Sequence, residues 1–382
     1  MTMVEPGFLT IGWVVVALAV ASIGYTIHAI AATNRFARMS LPAVAPSEPV
    51  TLLKPVHGAE PRLRENLSSF FDQDWHGHVQ MVVGANRSDD PALPIARAVG
   101  GDIAICVDAP TIGANAKIAN VANLIAAARH DLLILSDSDI AVSPDYIGRV
   151  AAALAMPGVG AVTCLYHGRG DTGGWSRFAA AAVSWQFIPM VVMSLALKVD
   201  HPCMGSTIAL RRTTLEAIGG FAAFKDVLAD DYAIGAAVRK LGLAVEPVPA
   251  FLVAHGGSED TLSAVWRHEL RWSRTLRAVS GWGHIGSILT HPLPLALLTL
   301  PFHLIVGSAI MVSAIATRLL LARSVDRLAA HRPASLWLLP ARDILSFAVF
   351  LASLFVRSVD WRGASLRMAP RGTIIAGPEN AP

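Results

Sequence analysis

Two acidic pairs stand where they can do chemistry. The first ends the run Leu132-Leu133-Ile134-Leu135-Ser136-Asp137-Ser138-Asp139, in which an apolar stretch leads straight into Asp-x-Asp. Alternate residues at a strand end can turn both carboxylates, Asp137 and Asp139, toward one cation, and Mg²⁺ or Mn²⁺ takes oxygen ligands and bridges to phosphates. A cation held there neutralises charge building up on a departing nucleotide diphosphate. The plainer alternative is a turn whose Asp139 or Ser143 caps a helix near Pro144. The second pair, Asp230-Asp231 in Leu228-Ala229-Asp230-Asp231-Tyr232, precedes a helical stretch that runs to Leu241. One carboxylate suffices for an N-cap. Two offer more than one cap needs, and a carboxylate here can take the proton from an attacking hydroxyl as a general base. Where that hydroxyl attacks an anomeric carbon directly, opposite the leaving group, the centre inverts.

Basic and aromatic residues supply the rest of such a site. Arg267, Arg271 and Arg274 fall at i, i+4 and i+7, on one side of a helix, and guanidinium groups match phosphate oxygens in pairs. Trp272 is placed to pack on the acceptor or on donor groups. The same helix also suits anionic lipid headgroups beside a membrane. Lys117, in Asn115-Ala116-Lys117 ahead of a helix, can reach phosphate or remain an exposed lysine. Asp89 and Asp90 follow a strand ending near Gly84, where one can contact the base or ribose of a nucleotide, although Asp-Asp-Pro is also a common turn. His57, His201, His255 and His268 are scattered, with no HxxxH pair on one helix. Cys106, Cys164 and Cys203, odd in number and widely spaced, argue against a zinc site or disulfide framework and for a reducing cytosolic setting.

Short apolar runs alternating with helical stretches must position these residues. Val50–Leu53, Val79–Val83, Ile103–Val107, Leu132–Leu135 and Gly160–Cys164 read as strands. Pro61–Phe71, Pro91–Val99, Ala116–Arg129 and Pro144–Ala155 read as helices between them. The alternation predicts an α/β domain with a mostly parallel sheet covered by helices, whose ligand binds beyond the carboxyl ends of the strands. No GxGxxG follows a strand and no GxxxxGK[ST] is present, which argues against a dinucleotide site or an NTPase P-loop.

The chain of 382 residues is 53% hydrophobic and 15% charged, with mean hydropathy +0.50. Soluble domains carry roughly 25% charged residues, so part of this chain sits in lipid. Its net charge of +3 is too small to suggest nucleic-acid binding. Phe8–Ala31 is apolar and uncharged, long enough to span a bilayer core, with Arg35 and Arg38 following it. The positive-inside rule then puts the N-terminus outside and the remainder in the cytosol. A second tract, Ile285–Thr317, is interrupted by Pro292, Pro294 and Pro301 and is too long for a simple span, so a tilted helix with an interfacial approach or a tight hairpin is expected. A single crossing there would leave Arg318, Arg323, Arg327 and Arg332 outside, against the usual bias. A third tract, Ile344–Val356, is short for a span, though Leu336–Leu339 could extend it past Arg342 and Asp343. Trp175–Val199 is apolar too, but as a span it would separate the two acidic pairs across the membrane. An interfacial or partly buried helix is therefore expected, able to line a lipid entry path.

The order of motifs resembles the ceramide glucosyltransferase family. It is carried by Leu53-Lys54-Pro55 with Gly58, Asp89-Asp90-Pro91, Asn115-Ala116-Lys117-Ile118, Asp137-Ser138-Asp139, Asp230-Asp231-Tyr232 and Arg271-Trp272. Within it, Cys164-Leu165-Tyr166, Cys203 to Arg212 and His268-Glu269-Leu270-Arg271-Trp272 look most similar to bacterial hopanoid-associated glycosyltransferases. The resemblance implies a GT-A (Rossmann-like) fold and an inverting, metal-dependent glycosyltransferase. It implies a UDP-sugar donor and a membrane lipid acceptor, with N-acetylglucosamine passing to a bacteriohopane polyol and glucose to ceramide or diacylglycerol as the alternative. It implies Asp89 or Asp90 on the nucleotide, Asp137 and Asp139 on the donor and on Mn²⁺ or Mg²⁺, and Asp231 as catalytic base. Arg271 and Trp272 would complete the donor and acceptor site. His268 stands where the wider family has Gln or Arg. The expected organisation is an anchor over 1–35, a linker over 36–48, a cytosolic catalytic domain over 49–284 with the interfacial helix near 175–199, a membrane region over 285–358 and a basic tail over 359–382. The expected location is the bacterial inner membrane. A processive polysaccharide synthase shares such acidic motifs but normally needs more crossings.

Overall fold

The computed structural model describes residues 6–40, 47–108, 110, 112–199, 201–356, 358–361, 364–368 and 374–375. The linker expected over 36–48 and the basic tail over 359–382 therefore lie partly outside the described residues.

Among the described residues, eight strands form one sheet: β1 (Val50–Pro55), β2 (Val79–Gly84), β3 (Asp102–Cys106), β4 (Leu132–Leu135), β5 (Ile140–Ala141), β6 (Val159–Gly170), β7 (Ile208–Arg211) and β8 (Ala244–Gly257). Their order is β3-β2-β1-β4-β7-β6-β8-β5. β1, β2, β3 and β4 are parallel, as are β6 and β8, while β7 lies antiparallel between β4 and β6. The apolar runs of β1 and β4 are buried on both faces because helices cover both sides. Alternation along the strands sends Leu52 and Ile134 into one core with Leu67, Phe70 and Tyr146. It sends Leu53, Leu133 and Leu135 into the other with Ile118, Val121 and Ile234. Strand order reverses at β1 and β4, which opens a crevice at their carboxyl ends, and Asp137 lies there.

One expected strand lengthens, and β8 is a long strand that the sequence pattern did not predict. β6 runs on to Gly170, past the end expected at Cys164, with irregular register against β8 at Val159/Ala161 and Thr163/Leu165. β8 accommodates Pro247, Pro249 and a left-handed Ala250 (φ 51°) beside that irregular pairing; bulges relax the ladder where proline cannot donate.

Among the described residues, four helices are long and apolar enough to cross a membrane: Thr10–Phe36, Gly174–Leu197, Leu304–Leu328 and Leu336–Phe355. Phe36 packs with Val325, and Val16 and Ala19 pack with Ile310 and Ala314. A Cβ at Gly12 would come within 2.7 Å of Phe302. The first and third of these helices thus run side by side in the same direction. The segment between runs the other way, with the Ser22 hydroxyl donating to the Leu289 carbonyl and Leu295 and Ala296 meeting Val16 and Ala19. The second tract is therefore a hairpin, which brings the end carrying Arg323, Arg327 and Arg332 to the same end as Arg35 and Arg38.

Candidate active site

The Asp-x-Asp turn follows β4 and is pinned from four sides. Lys54, at the end of β1, is fully buried and donates to Ser136 Oγ (2.9 Å) and to the Asp137 carbonyl (3.0 Å). Its ammonium lies 3.3 Å from the centre of the Phe70 ring. Burial drives the Lys54 pKa well below its ordinary value, against the pull of Asp137, Asp139 and Glu60. Asn66 donates to the Ser138 carbonyl (3.2 Å), and the Gly256 N–H to the Asp139 carbonyl (2.8 Å). The fourth pin is Gly205, which precedes β7. Its carbonyl accepts from the Asp137 N–H (3.1 Å) and its own N–H donates to Asp231 Oδ2 (3.0 Å).

The backbone of one residue, through the peptide groups on its two sides, therefore joins the two acidic pairs. Lys117 joins them again, with Nζ 2.7 Å from Asp137 Oδ1 and 3.6 Å from Asp230 Oδ2. Burial alone would lower the Lys117 pKa, but Asp137, Asp230 and Asp231 outweigh it and hold the ammonium well above its ordinary value. Asn115 caps the helix Ala116–Leu124, accepting from the N–H groups of Lys117 and Ile118, while its amide donates to Asp230 Oδ1 (3.4 Å).

The capping alternatives do not hold. The helix Tyr146–Leu154 has no side-chain cap from Asp139 or Ser143, and the helix Asp230–Lys240 has Ala229 at its N-cap. Asp230 and Asp231 occupy its first turn, where the helix dipole favours negative charge. Burial, then Asp230, pushes the Asp231 pKa up to about 6, with Lys117 and the N–H groups of Tyr232 and Gly205 working against the rise. A base so placed is protonated and idle below that pH. Activity is therefore expected to climb about tenfold per pH unit on the acid side and to level off above pH of about 6, as a pH–rate profile will show.

Asp139 lies beside His255. Its Oδ2 lies 3.3 Å from His255 Nε2, and its Oδ1 is buried without a hydrogen-bond partner. Burial raises the Asp139 pKa, opposed by His255 and reinforced by Asp137. No cluster of three or more His, Cys, Asp or Glu side chains among the described residues can hold a metal alone. Two carboxylates with an unspent buried oxygen fit a hard cation that draws its remaining ligands from a bound diphosphate and water.

His255 opens an aromatic wall. Tyr166 meets it at 5.2 Å between ring centres, and Trp272 at 5.7 Å. Burial, then the charges of Asp231, Asp139 and Asp137, holds the Tyr166 phenol well above its ordinary pKa. His268 stands edge-on to Trp272 at 4.8 Å and pairs with the buried Glu259.

The remaining expected residues divide. Asp90 is buried, accepting from the N–H groups of Gly58 and Ala92 (both 2.9 Å), and so ties the loop after β1 to a helix start. Asp89 is exposed and paired with Arg87 at 2.6 Å. The arginine face does not act as one group. Arg267 is exposed and donates to Ser263, whereas Arg274 is buried against the Ser353 carbonyl. Arg277 donates to Ser353 and Leu354. These two cations serve the C-terminal carbonyls of the helix Leu339–Phe355. Sequence reasoning missed Gly205, His255 and the buried role of Lys54. The signal at Gly205 is steric: a Cβ there would lie 2.7 Å from Asp137 Oδ2. Gly205→Ala is expected to cost about 10²-fold in turnover by displacing both carboxylates, checked by steady-state kinetics beside an unchanged melting curve.

The sequence model of glycosyl transferase family 21 matches residues 14–374. Ceramide glucosyltransferase 1 of Caenorhabditis elegans is 25% identical over 199 residues, 50% of this chain and 42% of that protein. The ceramide glucosyltransferase of Komagataella phaffii is 29% identical over 153 residues, 37% of this chain and 29% of that protein. The matches span less than half the length of these curated relatives. Among solved structures, a mannosyltransferase from Pyrobaculum calidifontis in complex with GDP-Man and Mn²⁺ shares the fold. It superposes with a TM-score of 0.52 at 18% identity, covering 90% of this chain and 99% of that one.

Proposed function

The chain belongs to glycosyl transferase family 21, and on that premise we propose that it is an inverting glycosyltransferase moving a sugar from a UDP-sugar to a hydroxyl group of a membrane lipid. Its fold is GT-A, and it carries the apolar helices of a membrane protein. The observation that carries the reading is the Gly205 backbone, whose carbonyl accepts from the Asp137 N–H and whose N–H donates to Asp231. A base for the acceptor and carboxylates for the donor have to share a pocket if one displacement is to join them.

In this reading Asp231 takes the proton from the acceptor hydroxyl as it attacks the anomeric carbon. Lys117 sits between Asp137 and Asp230, placed to meet a donor phosphate oxygen. Mn²⁺ or Mg²⁺ bound by Asp137 and Asp139 supplies neutralisation of the leaving diphosphate; the Mn²⁺ of the similar mannosyltransferase supports that choice. Asp90, on the loop after β2 and tied to the Gly58 N–H of the loop after β1, shapes the nucleotide end, with exposed Asp89 beside it. Arg271, Trp272 and His268 close the opposite end.

We place the catalytic domain in the cytosol at the bacterial inner membrane, since Arg35, Arg38, Arg323 and Arg327 gather at the end of the bundle nearest to it. The helix Gly174–Leu197 then lies along the interface, because Lys117 contacts an acidic residue from before it and one from after it. For the substrate pair we propose N-acetylglucosamine and a bacteriohopane polyol, on the resemblance of Cys164 to Tyr166 and Cys203 to Arg212. The ceramide glucosyltransferases among its relatives support glucose and ceramide as the second reading. Incubating the detergent-solubilised protein with Mn²⁺ or Mg²⁺, a panel of UDP-sugars and bacterial lipid extract, followed by mass spectrometry, identifies both. A single sugar on a lipid is expected. Long polymer overturns the reading in favour of a synthase, and no glycolipid from any donor overturns it outright.

A further inference from the structure

Between the helices Gly174–Ala182 and Ile188–Leu197 the backbone widens into a π-helical segment, Val183–Phe187. Such segments recur at functional sites because they redirect side chains at a cost in regularity. This one is gripped from the apolar bundle. Arg318, 2% exposed, makes two hydrogen bonds to Asp343 (2.6 and 2.7 Å). It also donates to the Trp185 carbonyl (2.9 Å) and to Gln186 Oε1 (3.3 Å). Gln186 in turn donates to the Thr290 carbonyl (3.1 Å) and hydroxyl (2.6 Å). A buried ion pair is weak evidence for stability, whereas charges among apolar helices are retained mainly for function.

The next residue, Phe187, belongs to the catalytic side. Its ring lies 5.4 Å from Tyr166 and 6.0 Å from Trp272, the wall that His255 connects to Asp139. Adjacent positions of one segment thus reach a charge network within the bundle and the mouth of the catalytic pocket. Beyond Phe187, Ile188, Val191 and Val192 pack with Phe36 and Val325. Phe187 thus sits where the apolar helices meet the aromatic wall beside Asp139.

We infer that Phe187 forms the acceptor-contacting wall of the site and that the Arg318–Asp343 pair positions it through the π segment. This rests on the transfer reading above. The test uses the full chain in vesicles of bacterial total lipid extract with added ceramide and bacteriohopane polyol, supplied with Mn²⁺, UDP-glucose and UDP-N-acetylglucosamine. Lipid-dependent UDP release is measured, with UDP·Mn²⁺ affinity determined separately by calorimetry. Phe187→Ala is expected to raise the half-saturating lipid concentration about tenfold and leave UDP affinity unchanged. The double variant Arg318→Met/Asp343→Leu, which removes both charges together and so strands neither, is expected to show the same lipid defect. Adding Phe187→Ala to it is expected to cost at most about twofold more, since both act through one element. If the double variant does not fold, Gln186→Leu replaces it under the same readings. Equal losses in lipid and UDP affinity, or a folded network variant with wild-type lipid dependence, overturn the inference. A wild-type protein that binds UDP but shows no lipid-dependent release overturns the transfer reading, and the inference with it.

Discussion

Asp231→Asn is expected to lower turnover by about 10²- to 10⁴-fold, the range for removing a general base, while UDP affinity stays near that of the wild type. The substitution keeps the size of the side chain and the acceptor oxygen for the Tyr232 N–H, at 2.7 Å in the native protein. What it removes is the capacity to hold the acceptor's proton, together with the oxygen that accepts from the Gly205 N–H. The Gly205 N–H and Lys117 hold Asp231 in place but cannot stand in for it, because both are donors. The acid limb of the pH–rate profile should disappear with the carboxylate. Asp230 is a poor substitute, since its Oδ1 is within reach of the Asn115 amide and its Oδ2 lies 3.6 Å from Lys117. A variant with near-normal turnover would leave the pair as a helix start and nothing more.

The second large effect falls on the cation. Asp139→Asn is expected to cost about 10²- to 10³-fold in turnover, equivalent to roughly 3–4 kcal/mol of lost charge stabilisation on the leaving group. The Mn²⁺ concentration for half-maximal activity should rise as well. Asp139 is the informative choice of the two, because among the described residues its Oδ1 is buried with no hydrogen-bond partner and its salt-bridge partner is a histidine. Asp137 also compensates Lys117, so Asp137→Asn mixes loss of the cation with a disturbed buried ammonium. Titrating Mn²⁺ in the UDP-release assay separates the two. A loss at Asp139 that excess Mn²⁺ partly restores marks a ligand.

The helix starting at Asp230 was legible from the stretch that runs on from it, and the place of Asp137 at the crevice was legible because the apolar run of β4, buried on both faces, ends at Leu135 just before it. β1, β2 and β4 were legible for the same reason. The far half of β6 was hidden by Gly168 and Gly170, and β8 by Pro247 and Pro249, residues that ordinary strand patterning excludes. The arginine face was misread at Arg274, where helical spacing fixed the side but not the neighbour, and the neighbour proved to be the end of another helix. The hairpin of the second apolar tract resolves the charge bias that a single crossing left unexplained. Gly205 and Phe187 carry no local signature, since what each touches arrives from more than twenty residues away in the chain.

The most direct measurement of the central claim is the anomeric configuration of the lipid-extracted product by proton NMR, starting from an α-linked UDP-sugar. Attack by a lipid hydroxyl, deprotonated by Asp231 opposite a diphosphate held near Asp137 and Asp139, predicts a β-glycoside. An α-glycoside, or labelled sugar that never enters the lipid phase, contradicts it.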